Sequence, residues 1–289
     1  MKFPVFDLHC DTPINIHKRK FNHIDPGRLK YQDYLGAIFA HFIPPESKTP
    51  FLDAVKMISS TRRFLGDQPD CRIVTDPRQI DDRCLNIMLG VEGGHIFDRD
   101  FKQVEVLYDL GVRVFTLVWN NSNRLCHSAL EADNKGLTKI GKRYIEAMGQ
   151  YDILIDFSHA STRTVLDSCA IARNKVFASH SCVRRLNPFL RNIDDPAIRA
   201  IVQCQGLVAV NFSRKHLGDR SLFEHLDYLM QNYGSECPAL GSDFDGIDDP
   251  VISGPDAVQG LTVEMAEKGY KSAAINAVFS GNFLNLLRR

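Results

Sequence analysis

The sequence predicts an α/β protein of the (β/α)8 TIM-barrel type. Eight short apolar runs recur along the 289 residues, helical stretches fall between most of them, and no repeat, low-complexity linker or charge block divides them. Short apolar strands alternating with helices imply a parallel sheet covered on its outer face by helices. Eight such units in a chain this long favour a closed barrel over a doubly wound open sheet, and a single domain over residues 1–289 is expected.

The first strand, 3–8, ends at His9-Cys10-Asp11. Residues 17–34 read as polar and irregular, with Pro26-Gly27 as a turn. The second strand, 36–43, is stopped by Pro44-Pro45, and apolar residues at 51, 52, 55, 58, 64 and 65 give 51–65 a mostly helical spacing. A third strand, 85–91, runs into Glu92-Gly93-Gly94-His95. A helix over 104–110 is closed by Gly111, and the fourth strand covers 112–119. The alternation is then regular: helix 140–149, strand 153–157, helix 162–172, strand 176–178, helix 196–203, strand 207–210, helix 222–233 and strand 239–242.

Composition narrows the partner. Lys plus Arg equals Asp plus Glu at 35 each, which speaks against a nucleic-acid surface or an acidic tail, and 44% hydrophobic residues supply a substantial core. No apolar run reaches the length of a membrane span, and Met1-Lys2-Phe3-Pro4 leads straight into the first strand. A cytoplasmic protein without membrane attachment is expected. The eight cysteines, at 10, 71, 84, 126, 169, 182, 204 and 237, form no CxxC pair and are expected as free thiols in a reducing compartment.

Residues capable of chemistry collect at the C-terminal ends of the predicted strands, the face on which barrels of this type build their sites. The first strand offers His9 and Asp11, the third Glu92, the fifth His159, the sixth His180 and the eighth Asp243, with Asp245 two residues on sharing its face if the strand continues. A single strand-end histidine is more often a hydrogen-bonded structural residue than a ligand. Three histidines and three carboxylates at one mouth are different, because uncompensated buried charge is costly and a metal compensates it. Mixed imidazole and carboxylate donors suit zinc or a similar divalent ion, and a carboxylate such as Glu92 can bridge two of them. His95 could orient Glu92 or make a plain loop hydrogen bond. His41 could face the mouth, and His17, His23, His127, His216 and His225 read as surface or packing residues. Cys10 and Cys182, beside ligand candidates, are aimed away from them.

With these motifs assembled, the chain resembles the zinc-dependent dipeptidases of the renal (membrane) dipeptidase type, metal-dependent hydrolases among the amidohydrolase-like barrels. The resemblance runs nearly end to end, through Asp7-Leu8-His9-Cys10-Asp11, Val91-Glu92-Gly93-Gly94-His95, Tyr108-Asp109-Leu110-Gly111-Val112-Arg113, Asp156-Phe157-Ser158-His159, Ser179-His180-Ser181, Arg191-Asn192-Ile193-Asp194-Asp195 and Gly241-Ser242-Asp243-Phe244-Asp245-Gly246. It implies two divalent ions, most naturally Zn2+, held by His9, Asp11, Glu92, His159 and His180 with Glu92 bridging. It also implies a hydroxide between the ions as nucleophile, Asp243 as proton carrier, Arg191 as the grip on the substrate's terminal carboxylate, and tolerance of a C-terminal D-residue. The chain departs from several members at the end of the fourth strand. Where they carry a threonine-histidine pair it reads Leu117-Val118-Trp119-Asn120; Asn120, Asn121, Asn123 or a metal could take the histidine's place beside the substrate, or Trp119 simply walls the pocket.

The expected partner is a small peptide, with neither nucleic acid nor membrane, and a homodimer is compatible with the sequence. Two other functions compete: a related binuclear hydrolase of acylated amino acids or cyclic amides, and a non-catalytic barrel that binds a ligand or partner. A full ligand set plus Asp243 weighs against the last.

Overall fold

The computed structural model describes residues 2–18, 22–29, 32–98, 100–131, 135–173 and 175–289. Nine strands form one parallel sheet: β1 (Val5–Cys10), β2 (Tyr34–Phe42), β3 (Cys71–Ile73), β4 (Leu85–Glu92), β5 (Val112–Thr116), β6 (Leu154–Asp156), β7 (Val176–Ala178), β8 (Leu207–Val210) and β9 (Pro238–Leu240). Eight of them follow one another around a barrel in the order β1-β2-β4-β5-β6-β7-β8-β9. Just past β9 the barrel closes on β1, where Asp243 N–H donates to His9 O at 3.0 Å and Asp11 N–H to Phe244 O at 2.9 Å. These eight strands are the eight predicted from the apolar runs. The ninth, β3, is only three residues long and pairs with the N-terminal half of β4, on the edge that β5 takes over from Leu89 onward. A run that short leaves no periodicity to read.

The strands' apolar residues serve two cores. Phe6, Leu8, Ile38, Met88, Val114, Leu154, Phe177, Leu207, Ala209 and Ala239 form an inner cluster, closed by Phe283, Leu286 and Leu287 of the C-terminal helix Asn282–Arg288. Phe283 sits 4.9 Å from the Phe6 ring and 6.1 Å from Phe177, so this helix plugs the barrel floor. The larger outer cluster lies between sheet and helices. Because both faces are covered, β1 and β4 are buried at every residue, which is why they read as unbroken apolar runs rather than alternating ones.

Side-chain caps start the helices that follow the mouth loops. Thr138, Ser161, Asp194 and Ser221 each accept a backbone N–H from the first turn, and Ser221 and Glu224 form a reciprocal capping box. The predicted helix over 162–172 stops earlier, at Cys169. The stretch 17–34 is less irregular than expected: Pro26 opens a short helix, Pro26–Leu29, instead of a turn, and Thr12–Lys18 is helical, proline being well placed in a first turn. Residues 19–21 and 30–31 of that stretch lie outside the described residues. The fourth predicted strand ends at Thr116 rather than 119, where the chain turns out over the mouth. Among the described residues no helix is long and apolar enough to cross a membrane.

Candidate metal centre and active site

The mouth is assembled by small departures from regular strand geometry. Between Asp7 and Cys10, three steps of β1 face two of β2, since Asp7 stands opposite Ala37 and Cys10 opposite Phe39. An extra residue of this kind re-aims the side chains beyond it. Thus Leu8 packs into the inner cluster while His9, its chain neighbour, meets Glu92 and His180 across the barrel. His159 and Asp243 both adopt left-handed backbone, with φ of 68° and 61°. For non-glycine residues that costs free energy, on the order of 1 kcal/mol or more, and such strain gathers at functional sites.

Glu92 Oε1 is the hub. It lies 3.0 Å from His159 Nε2, 3.6 Å from His180 Nε2 and 3.8 Å from His9 Nε2, and His9 Nε2 is 3.6 Å from Asp11 Oδ2. Donors bound to one ion at about 2.0–2.2 Å in a tetrahedron stand roughly 3.3–3.6 Å apart, so these spacings fit shared coordination spheres. Ligand atoms of His9, Glu92 and His180 lie within 4.8 Å of one another, as do those of His9, Asp11 and Asp243. The two groups share His9.

The residues behind the histidines fix which nitrogen faces the centre. Ser179 Oγ donates to Asp156 Oδ2 at 2.7 Å, which leaves its lone pairs for His180 Nδ1–H at 2.7 Å and His9 Nδ1–H at 3.2 Å. His159 Nδ1–H donates to Asn120 Oδ1 at 2.8 Å. All three imidazoles therefore turn an Nε2 lone pair toward Glu92, the orientation that metal-binding histidines adopt when an outer partner holds Nδ1. Asp156, fully buried, anchors the set by also accepting from Thr116 Oγ1 at 2.6 Å and from the backbone N–H of Ser158 and Ser179. In contrast, His9 Nε2 and Glu92 Oε1 are buried with no hydrogen-bond partner among the described residues. Lone pairs pointed at one another, with polar atoms unmet, fit a divalent cation.

The electrostatics agree. Burial raises the Glu92 pKa well above the usual carboxylate range, against the pull of His9. Burial opposes charge on His9, but Glu92, Asp11 and Asp243 together lift its pKa to about 10. The centre thus attracts positive charge, and a metal competes with a proton for the same Nε2. Burial and Asp11 raise Asp243 to about 7; its Oδ2 accepts from Asn211 Nδ2 at 2.8 Å. Gly246 stands beside it, where any Cβ would run into the Asp11 and Asp243 carboxylates.

Asp11, Glu92, Asn120, His159, Arg191 and Asp243 all line one cavity of about 290 Å³, walled on its apolar side by Ile14, Phe42, Trp119 and Ile247. His9 and His180 lie in its base, 1% exposed. Arg191 is 3% exposed; its Nη1 donates to Ser181 Oγ and its Nη2 to His180 O, and it makes no ion pair among the described residues. All the site residues singled out in the sequence therefore meet at one mouth.

Other sequence alternatives resolve as well. Asp245 lines the same cavity, and its carboxylate accepts from Thr12 Oγ1 and His23 N–H at 2.8 Å each. His95 makes a plain loop bond to Ile43 O at 2.7 Å, and His41 points away from the mouth, bonding Gly90 O and Thr61 Oγ1. Asn123 is used up on the backbone of Leu117, Leu125 and Cys126, and Trp119 packs on Phe42 at 4.8 Å. Burial raises the Cys10 and Cys182 thiols, so neither offers a thiolate. Sequence reasoning missed Asp156, Ser179 and Asn211, whose signal was their place at strand ends. It also set aside His216, which lines the cavity instead of packing at the surface.

Comparisons with known proteins agree with this architecture. The chain is 28% identical to dipeptidase 3 of Mus musculus over 99% of its own length, and it spans about 64% of that relative. It superposes on a metallo peptidase from Rhodobacter sphaeroides, solved with a phosphinate mimic of the dipeptide L-Ala-D-Ala, with a TM-score of 0.91 at 21% identity, covering 100% of this chain and 99% of that one. A dihydroorotase from Campylobacter jejuni shares the barrel more distantly, with a TM-score of 0.58 at 11% identity over 100% of this chain and 84% of that one. The family model for membrane dipeptidase, peptidase family M19, matches residues 1–289, and the chain belongs to that family.

Proposed function

We propose that the chain, acting as one barrel domain over residues 1–289, is a metal-dependent dipeptidase that cleaves short peptides with a free C-terminal carboxylate. The observation that carries this is the buried guanidinium of Arg191, which makes no direct ion pair among the described residues, in the same small cavity as Glu92, His159 and Asp243. The Asp243 and Glu92 charges favour the guanidinium from a distance but neither is in contact with it, and a peptide's terminal carboxylate matches its planar fork. At about 290 Å³ the cavity sits at the small end of ligand pockets, which suits a dipeptide.

His9, Asp11, Glu92, His159 and His180 would hold two divalent ions, zinc by donor type, with Glu92 between them. When bound, the ions supply a water ionised near neutral pH and polarise the peptide carbonyl. The chain's own residues do the rest. Arg191 fixes the carboxylate end, so that the scissile bond lies one residue away. Asp243, with a pKa near 7, takes a proton from the attacking water and returns it to the departing amine. Asn120 keeps His159 in the required tautomer while lining the substrate space. Tolerance of a C-terminal D-residue belongs to this proposal and is supported by the L-Ala-D-Ala mimic bound by the Rhodobacter relative.

The test is a panel of L,L- and L,D-dipeptides, free and amidated, offered to zinc-loaded wild type and Arg191→Ala. Chelation should abolish turnover and zinc restore it. Arg191→Ala should weaken free dipeptides by roughly 1.5–3 kcal/mol and leave amidated ones nearly unchanged. Turnover of N-acylated amino acids alone, or full activity in metal-free protein, would sink the proposal.

A further inference from the structure

We infer that His216 is a second donor to the substrate's terminal carboxylate, closing with Arg191 a two-sided clamp that sets this chain's preference for free C-termini. His216 lies in the helix Arg214–Leu217 after β8 and lines the cavity with Arg191, His159 and Asp243. Its Nδ1 is shielded from solvent and has no hydrogen-bond partner among the described residues, and the same is true of Arg191 Nε. Nη1 and Nη2 of Arg191 give one N–H each, to Ser181 Oγ and His180 O, which orients the guanidinium and leaves a second proton on each. Both residues line one cavity, and each carries a shielded nitrogen without an acceptor among the described residues. Each such nitrogen is costly unless something entering the cavity supplies an acceptor. A carboxylate brings two oxygens.

The geometry is built, not incidental. The His216 carbonyl accepts from Asn187 Nδ2 at 2.9 Å and Asn192 Nδ2 at 2.8 Å, and its ring stands edge-on to Phe189 at 5.2 Å. All three partners belong to the segment that carries Arg191, so the two donors are tied to one local framework. Burial and the Arg191 charge press the His216 pKa down to about 3, which leaves a neutral imidazole that does not repel the guanidinium and that can donate from Nδ1 in the tautomer an entering acceptor selects. Of the polar residues at the fourth strand end, Asn120 is committed to His159 and Asn123 to backbone, while the buried Asn121 Oδ1, without a partner among the described residues, is an acceptor and cannot donate to a carboxylate.

The inference rests on the dipeptidase proposal for its substrate, and two measurements separate their failures. In zinc-loaded enzyme, His216→Ala should raise KM for free dipeptides roughly 10- to 100-fold with kcat little changed, and leave amidated dipeptides unaffected. His216→Asn, whose amide can stand where Nδ1 stood, should recover most of the loss. Independently of turnover, the Nδ1 resonance of ¹⁵N-labelled His216 in wild type should move on titration with D-alanine and not with D-alaninamide. If wild type cleaved no dipeptide while that resonance still moved with D-alanine, the dipeptidase proposal would fall and the carboxylate site would stand. Equal losses on free and amidated substrates, a fall in kcat at constant KM, or the same resonance response to both titrants would overturn the role of His216. Should His216→Ala not fold, the asparagine variant and the wild-type titration decide.

Discussion

The floor and the mouth of the barrel are built on the same strands yet obey opposite rules. At the floor, Met88, Val114, Leu154, Phe177, Leu207 and Ala239 meet the C-terminal helix through Phe283, carbon against carbon. A few residues further along, the strands present Glu92, Thr116, Asp156, Ser179, Asn211 and Asp243, all buried and polar. The inner cluster at the floor is apolar throughout. The mouth keeps unpaired atoms at His9, Glu92, Arg191 and His216 and holds His159 and Asp243 in left-handed backbone. Local rules are broken where chemistry is expected, and the stability that tolerates the breakage is drawn from the well-satisfied half.

The comparison breaks most sharply at Glu92. Glu92→Ala removes the one carboxylate oxygen within 3.8 Å of all three histidines, so both ions should be lost together and turnover should vanish. The fold should survive, because the deleted group had no hydrogen-bond partner to lose at Oε1. Metal analysis and a thermal melt on the same sample check both halves. Retention of two ions at wild-type affinity would show that Glu92 is not the bridge.

Phe283→Ala is the mirror experiment. It empties a fully buried aromatic from the floor and should cost about 3–5 kcal/mol of stability while metal content and KM stay near wild type. A large loss of metal affinity in a variant still folded at the assay temperature would mean that floor and mouth are not separable.

His41 and His180 are both buried histidines near β4, and they sharpen the comparison through pH. His41 is satisfied on both nitrogens as a neutral ring, and burial lowers its pKa from 6.5 to about 4. Between those values the unfolded chain binds the proton more readily than the folded one. The stabilisation is fully present above about pH 6.5 and is lost as pH falls toward 4, roughly 3 kcal/mol in all. Denaturant titrations at pH 7.5 and 4.5 should show a smaller acid loss in His41→Gln than in wild type. An unchanged loss would remove His41 from the acid response.

Much of this was legible in the sequence because barrel strands covered on both faces leave unbroken apolar runs, and a ligand at the end of such a run stands out, as Glu92 and His180 do. What stayed hidden has physical reasons. The three-residue β3 is too short for any period. The bulge that turns His9 into the mouth depends on pairing with β2, which no residue of β1 announces. Asp243 and Asp245 follow the same run and read alike; the bonds that Thr12 and His23 give Asp245 come from more than 200 positions away in the chain. His216 was passed over because Arg214 and Lys215 before it are charged and exposed, and only the fold brings it beside Arg191.

Ser179 carries the smallest expected effect and the finest test of how the mouth is held. Its single hydroxyl donates to Asp156 and accepts from His9 and His180, so it sets the tautomer of two proposed ligands without touching an ion. In Ser179→Ala the two Nδ1 protons lose their acceptor, and each imidazole can move its proton to Nε2, the atom that should coordinate. Metal affinity should fall about 10- to 100-fold, the usual cost of removing an outer-shell partner. At saturating zinc the activity should return nearly to wild type, because every proposed ligand is still present. The Ser179→Thr variant keeps the hydroxyl and should hold affinity if the extra methyl is accommodated. If Ser179→Ala lost stability in proportion to activity and zinc restored neither, Ser179 would belong with the floor's packing rather than with the metal centre.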